Sequence, residues 1–183
     1  TLQKSQLVNK KYSKLKLLGK GDIKEKFNVE VKWGVTFVIA QLIWIAFEKI
    51  MGWHDEHIDV QGVYSLFFAV IAFLIYYAAL REKREKYFQN EKFGWQQGFI
   101  SGVILTGVIT ILTPLIQYFA VTVISPDYLQ NMITLSEKQG MTPENAEMMH
   151  GMKMYIFMQI FNALAMGIVT GAIVALITKK KEK

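Results

Sequence analysis

Two histidines and three carboxylates crowd the segment Gly52-Trp53-His54-Asp55-Glu56-His57-Ile58-Asp59. Imidazole nitrogens and carboxylate oxygens ligate divalent cations, and His54 and His57, three apart, could share one face of a helical turn. Asp55, Glu56 or Asp59 would then supply oxygen ligands or accept hydrogen bonds from the imidazoles. His54, His57, Asp55 and Glu56 therefore form the candidate set for a divalent metal, the one cofactor for which the sequence makes room. The spacing is not that of a His-Glu-x-x-His zinc helix and lacks a nearby third ligand, so no catalytic residue is assigned. The plainer reading is a hydrated turn whose acids cap the helices beside it.

A second set is polar rather than ionisable. Gln41 and Glu48 are seven apart and face the same side of one helix. Thr106, Thr110, Thr113 and Gln117 share a face at 4,3,4 spacing, and Pro114 frees the carbonyl of Thr110 within that turn. Gln159 and Asn162 lie three apart further on. If these faces converge, Gln41, Glu48, Thr110, Gln117, Gln159 and Asn162 line a polar pocket open to the outside, with Glu48 its only ionisable member. The alternative is ordinary hydrogen bonding between helices in lipid. Paired intramembrane carboxylates and an Arg-rich helix are both absent from the sequence, which argues against a proton pump or a voltage sensor. Thioethers and imidazole in the run Met148-Met149-His150-Gly151-Met152-Lys153-Met154 suit copper. However, Tyr155 and Ile156 interrupt the helical spacing begun by Met148 and Met152, and methionine is a general gap filler.

What must position these residues is an all-α membrane protein of four transmembrane helices. Segments 33–47, 60–80, 99–124 and 155–178 contain no Asp, Glu, Lys or Arg. A soluble helix seldom runs so far without charge, because its outer face meets water. About 20 apolar residues cross about 30 Å of hydrocarbon, and inside it a helix satisfies its own backbone. The spans are expected at 32–51, 60–80, 98–124 and 153–178. The first needs Lys32 to snorkel, with Trp33 and Trp53 as interfacial anchors. A membrane domain of 27–183 then follows a Lys-rich cytoplasmic arm of 1–26, read as flexible, with no short apolar core of a cleaved leader.

Basic residues orient the spans. Residues 1–32 hold nine Lys, 81–98 hold five Lys or Arg, and four Lys follow Thr178, leaving only Lys49, Lys138 and Lys153 for the other side. The N-terminus, the 81–98 loop and the C-terminus are therefore expected in the cytoplasm. The net charge of +6 borders membrane spans, which makes the lipid bilayer the partner and gives no reason for nucleic acid. The absence of cysteine excludes disulfides, thiolate metal sites and cysteine nucleophiles.

Small residues recur every four positions: Gly94, Gly98, Gly102 and Thr106 in the third span, and Ala163, Gly167, Gly171 and Ala175 in the fourth. Such ridges let backbones approach in an antiparallel bundle. Between these spans, Ser125-Pro126-Asp127 and Thr142-Pro143-Glu144 both read as a cap, a proline at the first helical position and an acid in the first turn. Gly140 separates them. A helical hairpin outside the membrane is expected, with one helix over 126–138 and a second from Pro143 that kinks near Gly151 or runs into the fourth span.

These motifs resemble a known family. Glu48-Lys49, the 52–59 loop, Ala79-Leu80-Arg81-Glu82-Lys83-Arg84, Gln97-Gly98-Phe99-Ile100-Ser101-Gly102, Ile124-Ser125-Pro126-Asp127-Tyr128, Met141-Thr142-Pro143-Glu144 and Met166-Gly167-Ile168-Val169-Thr170 look like the bacterial membrane family called domain of unknown function 4199, over about 26–183. The resemblance implies a four-span protein of the bacterial inner membrane, with no established activity and no catalytic residues to carry over. Three functional readings follow. The leading one is a non-enzymatic accessory or scaffold subunit that binds another membrane protein or itself. The others are a small oligomeric transporter or channel, and an outer-face metal-dependent enzyme acting on a lipid-linked substrate.

Overall fold

The computed structural model of the protein describes residues 20–89 and 93–179, with side chains from Phe27 onward. Of the expected arm, residues 1–19 lie outside the described residues, whereas the backbone of 20–26 is already helical. The helices are α1 (Lys20–Ile50), α2 (Gln61–Ser65), α3 (Phe68–Tyr87), α4 (Trp95–Phe119), α5 (Tyr128–Lys138), α6 (Pro143–His150) and α7 (Met152–Thr178). Four stretches are long and apolar enough to cross a membrane: Phe27–Ile50, Gln61–Tyr87, Trp95–Ile124 and Met152–Thr178. The burial pattern is that of a protein whose solvent is lipid. Ile43, Leu66, Ile111 and Leu115 are each about two-thirds exposed or more, whereas Glu30, Thr106, Thr113 and Gln117 are buried.

The small-residue ridges of α4 and α7 pack against each other in antiparallel register. A Cβ on Gly98 would lie 3.1 Å from Ala175 Cβ, one on Gly102 3.0 Å from Gly171 Cα, and one on Gly167 2.5 Å from Thr106 Cγ2. Backbone therefore touches backbone where any side chain would intrude. Around this seam Tyr76, Ala79, Leu80, Leu105, Ile109, Val174 and Ala175 form the buried core, with Trp33, Phe37 and Phe73 packed on it. Tyr76 closes the seam, because its hydroxyl lies 2.8 Å from Thr106 Oγ1, which itself bonds back to the Gly102 carbonyl.

Polar ties fasten the end of the bundle that carries Glu30. Glu30 is buried and meets Lys83 Nζ at 2.9 Å and Ser101 Oγ at 2.6 Å, joining α1, α3 and α4. Glu82 accepts from Lys32 and from Trp33 Nε1, and Arg84 donates to the Thr178 carbonyl at the end of α7.

At the other end, α1 stops in a motif that turns the chain back on itself. Gly52 has φ +74°, its N–H bonds the Lys49 carbonyl, and the Trp53 N–H bonds the Glu48 carbonyl. This 5→2 and 6→1 pair is the Schellman ending, which needs a left-handed residue after the helix. Gly52→Val is therefore expected to cost about 1–3 kcal/mol from backbone strain. Thermal unfolding in detergent checks this, and a melting point equal to that of the unaltered protein would refute the role assigned to Gly52.

The second span begins irregularly. Leu66, Phe67, Ala69 and Val70 donate their N–H groups three residues back, to Val63, Tyr64, Leu66 and Phe67, which tightens the turn between α2 and α3. The third span has the opposite irregularity. α4 continues through Pro114 to Phe119, then widens into a π turn at Ala120–Ile124, where the Ser125 N–H reaches the Ala120 carbonyl at 2.8 Å.

The α5–α6 hairpin connects the third and fourth spans, turning at Gly140 (φ +95°). Ser136 Oγ ties the pair together by its 2.8 Å contact with His150 Nε2, and partial burial holds that imidazole below its ordinary range. Here the structure corrects the expected start at 126: α5 begins at Tyr128, because the Ser125 hydroxyl is engaged elsewhere and does not cap it. α6 starts at Pro143 as expected, and the chain breaks at Gly151 before α7.

Candidate functional site

Glu48 lies in the last turn of α1, and only 3% of it is exposed. Its Oε1 accepts from Trp44 Nε1 at 2.8 Å, one turn back on the same helix face, and from Ser65 Oγ. Its Oε2 lies 3.2 Å from His54 Nε2, which the reversal at Gly52 brings back over the helix end. His54 is also buried, and its Nδ1 sits 2.6 Å from Ser125 Oγ. The two irregular turns explain the meeting, since the tightened turn presents Ser65 and the π turn presents Ser125. The hairpin clamps the pair from above: Asn131 Nδ2 donates to the His54 carbonyl at 2.9 Å, and the Tyr128 ring packs on the imidazole with centroids 4.8 Å apart. Burial pushes the Tyr128 hydroxyl up to about 12, with the Glu48 carboxylate adding to the shift.

A carboxylate only accepts, so His54 Nε2 carries hydrogen toward Glu48. The Ser125 hydroxyl, also buried, meets His54 Nδ1 and can serve that nitrogen as donor or as acceptor. The Glu48 carboxyl group is thus held by three side chains, Trp44, Ser65 and His54, the last of them its buried ion-pair partner.

Beside the pair opens a cavity of about 310 Å³. Every span contributes to its wall: Gln41, Trp44 and Glu48 from the first, Gln61, Ser65 and Phe68 from the second, Gln117, Ala120 and Val121 from the third, and Tyr155, Gln159 and Asn162 from the fourth. Tyr128 and Ser125 close the hairpin side. Tyr155 OH donates to Gln117 Oε1 at 2.7 Å, and Gln61 Nε2 donates to Ser65 Oγ at 2.8 Å. Gln41 Oε1 is buried with no hydrogen-bond partner.

The structure thus brings Gln41, Glu48, Gln117, Gln159 and Asn162 to one cavity. Thr110 is not in the wall, and its Oγ1 is buried without a partner. Its neighbours Thr106 and Thr113 bond carbonyls four residues back on their own helix. The 54–59 loop is divided differently from a metal cage. His54 turns inward to Glu48, Asp55 pairs with Lys49 Nζ at 2.6 Å, and Glu56 and His57 are exposed. Among the described residues no three of His, Asp and Glu gather closely enough to hold a metal ion. His54 therefore belongs to the cavity and separates from Asp55, Glu56 and His57.

Trp44, Ser65, Ser125, Tyr128 and Tyr155 were not singled out for this site from sequence. Trp44 alone carried a usable signal, four residues before Glu48 on one face.

Four membrane-length helices around a buried polar cavity define a multi-pass membrane protein. The chain belongs to the family described as Protein of unknown function (DUF4199), whose sequence model matches residues 32–180. No curated protein and no solved structure matches it.

Proposed function

We propose that this protein binds a small polar solute in the cavity beside Glu48, reached from the outer face of a bacterial inner membrane, and so belongs with the transporter-like rather than the scaffold readings. The observation that carries this is a buried carboxylate–imidazole pair opening on a polar cavity to which all four spans contribute. Gln61, Gln117, Gln159 and Asn162 bring further amide groups to the same wall, more than the ties between neighbouring helices require. The small-residue ridges lie against each other along the α4–α7 seam, which removes them as a docking surface for a partner. The outer location rests on charge: Lys and Arg crowd the Glu30 end, and the hairpin end is acidic.

The cysteine-free sequence makes the test direct. Ala120→Cys places a thiol in the cavity wall at a position only 2% exposed. A small membrane-impermeant methanethiosulfonate is expected to modify it in intact cells, while Gln89→Cys at the opposite end reacts only after permeabilisation. Modification of Ala120→Cys only after unfolding would sink the solute site. Modification only from the cytoplasmic side would sink the orientation.

A further inference from the structure

Trp44 stands between two hollows of opposite character. One is the polar cavity beside Glu48. The other, of about 360 Å³, opens between α1 and α3 and is lined by Ala40, Ile43, Phe47, Ile71 and the same Trp44. Ile43 is 66% exposed and Phe47 41%, on a helix long and apolar enough to cross a membrane, so this second hollow faces hydrocarbon.

The partition between them is thin. The Trp44 indole lines both hollows, with its Nε1–H donated to Glu48 Oε1, and the Phe68 ring beside it, centroids 6.0 Å apart, lines the polar one. Phe68 opens α3 directly after the tightened turn from α2, an irregularity of the kind that marks a hinge inside a helix. Two aromatic rings next to that turn therefore separate hydrogen-bonding space from lipid. Most of the polar groups on the inner side are amides, those of Gln61, Gln117, Gln159 and Asn162, and each amide both donates and accepts. Such a wall suits hydroxyl or amide groups, and about 310 Å³ is room for a compact head. A polar head is expensive in hydrocarbon, and an alkyl chain gains nothing from amides, so a molecule that carries both divides itself between the two hollows.

We propose that the site takes a single-chain amphiphile from the bilayer. Its compact hydroxyl- or amide-bearing head occupies the polar cavity, its chain lies in the hollow between α1 and α3, and Trp44 and Phe68 form the lateral gate. This rests on the solute-site reading and names the ligand class.

The test uses the full chain with Ala120→Cys in phosphatidylcholine vesicles and the neutral reagent methyl methanethiosulfonate. Monolauroylglycerol and glycerol share a head and differ by the chain, and dodecane supplies a chain alone. Saturating monolauroylglycerol is expected to slow modification about tenfold, as occupancy at roughly ten times the dissociation constant would, whereas glycerol at the same concentration and dodecane leave the rate unchanged. Ile43→Trp in the same background puts bulk into the apolar hollow and is expected to abolish protection; Ile111→Trp, at a residue 79% exposed and outside the hollow, is expected to keep it. Both positions face lipid, so both variants should fold. Equal protection by glycerol would overturn the amphiphile and leave a water-borne solute in the site. Protection by dodecane, or protection that survives Ile43→Trp, would overturn the two-hollow arrangement, as would a reactive thiol that monolauroylglycerol leaves unprotected. A disulfide-linked dimer of Ile43→Cys, made in the otherwise cysteine-free chain, would give the hollow to a second copy and overturn the proposal. A thiol that reacts only after unfolding removes the solute site as well.

Discussion

Gly102→Leu is expected to prevent accumulation of folded protein. The nearest atoms to an added Cβ are Gly171 Cα at 3.0 Å, Gly171 C at 3.5 Å and Gly171 O at 3.6 Å, all of them backbone. A flexible side chain could swing aside, but a helix backbone cannot, so α4 and α7 must separate along the seam that organises the core. Overpacking typically costs about 1–3 kcal/mol, and a leucine pressed against backbone belongs at or beyond the top of that range. Gly107→Leu is the control, since nothing lies within 4 Å of its added Cβ. Size-exclusion profiles and thermal unfolding in mild detergent should show aggregation or a large loss for Gly102→Leu and near-normal behaviour for Gly107→Leu. Equal behaviour of the two would mean that the ridges do not hold the bundle together.

The second large effect is expected at Glu48. Leucine fills similar space but accepts nothing, which orphans Trp44 Nε1–H, the Ser65 hydroxyl and His54 Nε2–H together. Each buried donor left unpaired costs about 1–3 kcal/mol. The three share one acceptor group and will not add independently, so a total of about 3–5 kcal/mol is expected, the scale for removing one member of a buried pair. Glu48→Gln keeps an acceptor oxygen and should lose much less. Chemical denaturation of the two variants in the same detergent separates the cases, and equal stability of Glu48→Leu and the parent would show that the network contributes little to the fold.

The membrane helices were legible from sequence because lipid imposes one strong condition, a long charge-free stretch, and four segments meet it. The polar wall was legible in part. Gln41 and Glu48 are seven apart, and Gln159 and Asn162 three apart, so helix geometry alone puts each pair on one face. Helix geometry also put Thr110 with Gln117, at the same seven-residue separation, yet of that pair only Gln117 lines the cavity. The π turn and the tightened turn carried no residue signature. With them went the roles of Ser65 and Ser125, whose partners lie 17 and 71 positions away. Ser125 illustrates the ambiguity well. Serine before proline reads as a helix cap, and only the three-dimensional position of His54 shows that its hydroxyl serves another group. The 54–59 loop was misleading for a related reason. Composition suggested that its ligands act together, whereas the left-handed Gly52 sends His54 inward and leaves Glu56 and His57 exposed.

A cavity wall drawn from all four spans also bears on how the protein is made. Tyr155, Gln159 and Asn162 belong to the last helix, and Glu48 to the first, so the ribosome synthesises more than a hundred residues between the two sides of one site. Trp44, Ser65 and His54, the partners of Glu48, all precede the fourth helix, but the cavity beside them lacks a wall until Tyr155, Gln159 and Asn162 arrive. The closing of α7 against α4 is therefore a maturation step as well as a packing event. A chain released before that point would hold three membrane-length helices and an unfinished cavity.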